Sequence, residues 1–459
     1  MLNPGVTITD GPHDWQILQR DARGVASLTI AGAWSTSETT FAIQARLVEE
    51  NTGAVVAAHL DWQDGELDLA TTRFRLTLRD IPQGGLYRLE TRLRRPLAND
   101  RRAMRGDCRH HLGVGDLYLI AGQSNASGTG KGSAQDGPQL GVHLFANDET
   151  WKLATHPLED ATHTLHPITI TGVFHGHSPW LAFAKRIFAR TGIPIGLIPT
   201  ALGGSSIPRW VTDEGAAGDL SENMFDMCAQ AGGAVKGILW HQGESDCNPE
   251  QVGRYAARFR AFVALCRARL GQPELPIITG QLGAHLCPVD PESAATWSAL
   301  RETQRQLAHE LPQVYLAVTL DGTLSDEIHN GAVANVTIGE RYADLALQHI
   351  YGFPLQAHFP EVATARFADT TREVITVRCC NRSGDWTPSC TGEEFSVEDD
   401  TGIAPLRRIE VDPEGDIRLY LAHSAQGTTR LHVLYGRRPL VTLRDDACRC
   451  LTPCTVPVA

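Results

Sequence analysis

Four separated blocks of this sequence carry residue types that together can make an alcohol attack an ester. The first is GDLYLIAGQSNASG at 115–128, where Ser124 follows a short apolar run and lies between Gly122 and Gly128. In open parallel sheets ligands bind beyond the carboxyl ends of the strands, so a serine just past one is placed for attack. Serine is a weak nucleophile near neutral pH; it needs a base within hydrogen-bond reach and a third group that fixes the base's tautomer. The segment LSDEIHN at 324–330 supplies both, with His329 as base and Asp326, three residues earlier, as its carboxylate. His329 can take the Ser124 proton and return it to the leaving alcohol.

An ester passes through a tetrahedral oxyanion, and each preorganised donor aimed at it is worth about 100- to 1000-fold in rate. The block IPTALGGSSIPRW at 198–210 offers the backbone N–H groups of Gly203 and Gly204, since paired glycines let the main chain approach a ligand closely. Either glycine can be the donor; Gly204 is preferred because its turn faces onward to the next helix. The Ser124 N–H is a second donor, and the Gln242 side-chain amide, in LWHQGESD at 239–246, a third. Gln123 and Asn125, on either side of Ser124, are supporting candidates. Glu244, two residues past the amide, either competes with Asp326 for His329 or braces the loop. Arg209 and Trp210 can meet a sugar carboxylate and a sugar face, or simply pack where a helix starts.

These residues need strand ends to hold them. Beyond Gly113 short unalternating apolar runs at 117–120, 195–199, 237–240, 277–280 and 314–320 read as strands of a parallel sheet buried on both faces. Val252, Tyr255, Ala256, Phe259, Val263, Cys266 and Leu270 recur at helical spacing, with Asn248 as cap, Pro249 in the first turn, Gln251 at the capping-box position and Gly271 as stop. A second helix starts at Ser178-Pro179 and stops at Thr191-Gly192, and a third spans about 336–350. Alternation of period two marks 15–95, for example Phe74, Leu76 and Leu78, and returns after Phe353-Pro354 in Leu431, Val433 and Tyr435. A basic connector, 94–102, joins the first β region to the centre, and its charge run reads as solvated.

Four motifs in order, GDLYLIAGQSN, GLIPTALGGSSIPRW, ILWHQGESD and SDEIH, each at a strand end, resemble the SGNH-hydrolase superfamily, and more narrowly the sialate O-acetylesterase-like carbohydrate esterases. The resemblance implies a three-layer α/β/α domain with a mostly parallel sheet at 109–353, flanked by all-β domains at 1–108 and 354–459. It implies Ser124 as nucleophile, His329 as base, Asp326 as its partner, and Ser124, Gly203 or Gly204, and Gln242 around the oxyanion. Gln242 stands where the wider superfamily commonly has Asn, as the narrower group's WxQGE block leads one to expect. The implied activity is removal of O-acetyl groups from a sugar, sialic acid or another saccharide, through an acetyl-serine intermediate, with no metal or organic cofactor. The rivals are a lipid or thioester hydrolase of the same fold and a non-catalytic carbohydrate-binding protein.

Charge narrows the partners. Lys and Arg total 41 against 53 Asp and Glu in 459 residues, a formal charge of −12 that offers phosphates no broad basic field. Nucleic acid is therefore not expected as a partner. No apolar run approaches the roughly 20 residues of a membrane helix, and MLNPGVTITD lacks a basic start and an apolar core, so a cytoplasmic location without membrane association is expected. Eleven cysteines, an odd number, fit a reducing compartment. Six of them, Cys379, Cys380, Cys390, Cys448, Cys450 and Cys454, crowd the tail in no strong metal spacing and read as thiols rather than a zinc site. His175 and His177, two apart without acidic company, read as plain loop histidines rather than metal ligands, the alternative being contact with substrate. The oligomeric state is not encoded in any pattern found.

Overall fold

The computed structural model describes residues 5–95, 103–170, 176–286, 290–387 and 392–459. Each of the five apolar runs is a strand, and they stand side by side. The order is Val142–Phe145, Ile195–Pro199, Ala103–Gly122, Gly237–His241, Ile277–Gln281 and Val314–Val318, all parallel, with Trp151–Leu153 antiparallel at the first edge. Pro199 pairs with Ile120 and His241 with Gly122, so the loops bearing Ser124, Gly203 and Gln242 leave the sheet next to one another.

Among the described residues six α-helices accompany the sheet: α1 (Ser124–Ser127), α2 (Trp180–Thr191), α3 (Asp219–Gln230), α4 (Val252–Arg269), α5 (Pro291–Glu310) and α6 (Ala332–His349). Alternate strand residues point to two different cores, as a pleated strand requires. Leu117, Leu119, Ile238 and Ile277 pack with α3, α4 and α5, while Tyr118, Ile120, Leu239 and Ile278 pack with α2 and α6. Helix α6 begins four residues before its expected start. Helix α4 begins later than its cap signal: Asn248 Oδ1 accepts from the Gln251 N–H at 3.1 Å, so Asn248 closes the preceding turn instead. Helices α3 and α5 have no counterpart in the periodicity reading.

The flanking regions are β-rich, as expected. Gly5–Asp10, Val25–Ser35, Arg73–Pro82 and Glu66–Asp68 form one sheet, and two further four-stranded sheets follow residue 360. The 20-residue strand Ala103–Gly122 pairs with Gly84–Arg94 through its first half and with the parallel strands through its second. One strand therefore crosses the 108/109 boundary, and most of the charged connector, 96–102, lies outside the described residues. The tail is joined to the centre by Arg301 of α5, whose fully buried guanidinium donates to the carbonyls of Leu282, Gly283, Gly436 and Arg437 at 2.5–3.2 Å. Of the tail cysteines, Cys450 and Cys454 are buried, Cys379 is half-buried, Cys380 and Cys448 are exposed, and Cys390 lies outside the described residues. No described helix is long and apolar enough to cross a membrane.

Candidate active site

The strand end at Gly122 is crowded by its neighbour's backbone. Its φ is +129°, and a Cβ there would fall 2.1 Å from the His241 carbonyl oxygen, so only glycine lets these two strands run together to their ends. Ser124 follows as the first residue of the single turn α1, closed by Gly128 in the left-handed region with its N–H on the Ser124 carbonyl. The Ser124 carbonyl also accepts from the hydroxyls of Ser127 and Thr129, both at 3.2 Å.

His329 reaches this turn from the loop after Val314–Val318, 205 residues along the chain. Its Nε2 lies 2.9 Å from Ser124 Oγ, and its Nδ1 lies 3.0 Å from Asp326 Oδ2. A carboxylate can only accept, so the Nδ1 proton faces Asp326 and the Nε2 lone pair faces the serine hydroxyl. Burial works to raise the Asp326 carboxyl, but His329 and the Ile328 and His329 backbone N–H groups outweigh it and hold the group well below the ordinary carboxylate range. Lys131 Nζ adds a rim contact to Asp326 at 3.2 Å.

Asn125 is what fastens the two loops. Its Oδ1 accepts from the Asn330 N–H at 3.0 Å, and its Nδ2 donates to Glu244 Oε1 at 2.7 Å and to the Ile328 carbonyl at 3.3 Å. Glu244 thus braces Asn125, and among the described residues it makes no hydrogen bond or ion pair with His329, whose carboxylate partner is Asp326. Gln123 turns away from the serine: its Oε1 accepts from Gln242 Nε2 and the Ser245 N–H at 3.1 and 3.2 Å.

Ser124, His329, Gly203, Gly204 and Glu244 line one cavity of about 650 Å³ with Gln123, Thr129, Ile170, Leu202, Ser245 and Ile328. Among the described residues no hydrogen bond occupies the backbone N–H groups of Ser124, Gly203 or Gly204. They remain available to an oxygen beside Ser124. Thr129 and Ile170 carry no signal in the sequence, whereas Leu202, Ser245 and Ile328 stand inside the motifs that bear the site.

Four residues expected at the site stand elsewhere. Gln242 is fully buried and does not line the cavity; its Nε2 donates to Gln123 Oε1, the Ser205 carbonyl and Asp246 Oδ2 at 3.1, 3.1 and 2.5 Å. All of its donor capacity serves the packing beneath the site, against an Asp246 carboxyl that burial pushes up. Arg209 points away, in a fork with Asp219 whose shortest bond is 2.6 Å. Trp210 has no exposed surface, lying edge-on to Trp240 at 5.2 Å in the core, because an indole beside a sheet gains more from burial than from the rim. His177 is buried on His156 and Asp136 rather than in the cavity, and His175 lies outside the described residues.

A family profile described as carbohydrate esterase, sialic acid-specific acetylesterase, matches residues 114–348. The chain belongs to this family. The matched span contains every motif block described above. A probable carbohydrate esterase of Arabidopsis thaliana, At4g34215, is 29% identical over 185 residues; the match covers 35% of this chain and 66% of the relative, just under two thirds. Among solved structures, the carbohydrate acetylesterase XAC1771 of Xanthomonas citri is 21% identical, with a TM-score of 0.67 over 97% of this chain and 98% of its own. That likeness of fold takes in the β-rich flanks. The Arabidopsis protein AT4G34215 is 26% identical, with a TM-score of 0.44 over 51% of this chain and 98% of its own.

Proposed function

We propose that this member of the family is a serine esterase that removes O-acetyl groups from carbohydrates. Ser124 Oγ attacks the acetyl carbonyl while His329 takes its proton; the sugar oxygen leaves with that proton, and water clears the acetyl-serine by the reverse relay. Asp326 holds the imidazole in the required tautomer and stabilises its cation. The Ser124 N–H and one N–H of Gly203 or Gly204 receive the oxyanion, without the Gln242 amide. The observation that carries this reading is the 2.9 Å approach of His329 Nε2 to Ser124 Oγ inside a cavity, with Asp326 behind.

The parallel strands, with helices packed on alternate strand faces, support a three-layer SGNH arrangement at 109–353, with β domains at 1–108 and 354–459. As to substrate, the described cavity lining holds one carboxylate, Glu244, and no lysine or arginine. With Arg209 tied to Asp219, an uncharged acetylated saccharide fits this lining better than the carboxylate of a sialic acid. The reading also keeps a cytoplasmic location, which fractionation of native cells tests.

Acetate release across acetylated sialic acids, xylo-oligosaccharides and hexosamines, each repeated with Ser124→Ala, is the test. Turnover of neutral sugars that vanishes in the variant supports the reading. Preference for octanoyl over acetyl p-nitrophenyl esters points to a lipid or thioester hydrolase, and glycan binding without any acetate release to a binding protein.

A further inference from the structure

Two groups of acidic and imidazole side chains outside the active site bring their ligand atoms within 4.8 Å of one another: Asp136, His156 and His177, and Glu149, His166 and Asp226. Their surroundings differ in the features a metal site requires. In the first, Lys185 Nζ already sits 3.0 Å from Asp136 Oδ1, and the Nδ1 atoms of both histidines are buried without an acceptor. A cation there would face an ammonium, and both ring N–H groups opposite the metal would be stranded.

In the second, His166 is 6% exposed and its Nδ1 bonds to Asn223 Oδ1 at 2.9 Å, which fixes the tautomer and leaves the Nε2 lone pair free. That Nε2 is buried and makes no hydrogen bond. Glu149 Oε1 stands 3.2 Å away, but off the line that a ring N–H would take. Two ligands of one tetrahedral ion with bonds of about 2.0–2.1 Å stand roughly 3.3 Å apart, so the separation suits a shared metal where it does not suit a hydrogen bond. Among the described residues neither Glu149 nor Asp226 has a lysine or arginine in ion-pair range, so two carboxylates converge with no counter-charge.

We propose that Glu149, His166 and Asp226 bind a divalent transition-metal ion of the zinc class, with water in the remaining position. An imidazole beside two carboxylates suits zinc, whereas calcium takes oxygen ligands alone. The ion joins three segments: the turn before Trp151–Leu153, the loop that continues to Ile170 on the cavity wall, and α3, which bears Asp226 and the orienting Asn223. Its role is to pin that wall, apart from the ester chemistry at Ser124.

The test is titration of the chelator-stripped full chain with Zn²⁺ alone, read by calorimetry and by metal content after dialysis. One equivalent is expected to bind and to raise the melting temperature. Asp226→Asn, at an exposed ligand that folding does not need, is expected to weaken binding by at least about tenfold, as are Glu149→Gln and His166→Gln, while Asp136→Asn leaves it unchanged. Absence of a stoichiometric equivalent, or zinc held equally by Asp226→Asn and Glu149→Gln, overturns the proposal. So does loss of the equivalent in Asp136→Asn with retention in Asp226→Asn, which moves the metal to the other cluster.

Discussion

Two aspartate–histidine pairs in the central region have nearly the same geometry. Asp326 lies 3.0 Å from His329, and Asp136 lies 3.0 Å from His156; each carboxylate also has a lysine near, Lys131 at 3.2 Å and Lys185 at 3.0 Å. Both carboxyls are held well below the ordinary range against burial that works the other way, Asp326 by His329 and the Ile328 and His329 backbone N–H groups, Asp136 by His156, His177 and Lys185. What separates the pairs is the far side of the ring. His329 Nε2 meets a serine hydroxyl at a cavity, whereas His156 Nδ1 is buried without a hydrogen-bond partner and its ring stacks on His177 at 3.8 Å. A hydrogen-bonded imidazole acquires a chemical role from the group its second nitrogen faces, and here the ends of the parallel strands decide that.

The sharpest way to break this contrast is to remove the hydroxyl. Ser124→Ala is expected to lower acetate release by about 10⁴-fold or more, with the double variant Ser124→Ala/His329→Ala no worse, since the two act as a unit. Asp136→Ala should instead lower the unfolding midpoint and leave kcat within about threefold, as its cluster touches no substrate. Next in size, Asp326→Asn is expected to cost about 10²- to 10⁴-fold in kcat by losing the tautomer, against less than about tenfold for Glu244→Gln. A larger loss in Glu244→Gln would transfer the partner role to that residue.

Gln242→Ala should act on folding before rate, because it takes a donor from the Ser205 carbonyl and leaves Asp246 Oδ2 with the Ile207 N–H alone. A loss of about 1–3 kcal/mol in urea unfolding is expected. A 100-fold fall in kcat at unchanged stability would return the amide to the oxyanion. The smallest effect is in pH. A depressed carboxyl stabilises the fold fully above its unfolded pKa, near about 4, and the contribution fades as pH falls toward the folded value. The stability gap between the native chain and Asp136→Asn should therefore be widest above pH 5 and narrow steadily toward pH 2, in parallel urea titrations.

Five of the six parallel strands described were legible because a strand buried on both faces leaves an uninterrupted apolar run, and the Ser124, His329 and Asp326 blocks follow such runs directly; Val142–Phe145, a four-residue strand interrupted by His143, was missed. Helix α5 was hidden by polarity: its buried face carries Thr296, Ser298, Arg301 and Gln304, which bond to backbone groups and so break the apolar stripe. Helix α3 sits behind the glycines at 215 and 218, which read as loop. Arg209, Trp210 and Gln242 share their blocks with cavity residues, but nearness in sequence does not carry side-chain direction, and neighbours on one turn here face core, solvent and cavity in succession. Asn125 was named for its place beside the serine; its hold on the Asn330 and Ile328 backbone emerges only when distant loops meet.

The buried Arg301 guanidinium ties the architecture to the chemistry in one further respect. Its acceptors come from two stretches, 282–283 and 436–437, and the former stretch continues to Leu286, whose N–H bonds to the Glu327 carbonyl at 2.7 Å, between Asp326 and His329. Shortening the protein at 353 would leave a cation sealed in the interior with half of its carbonyls gone, and slack would pass along this tether to the imidazole. The tail is thus a splint for the base, whatever else it holds.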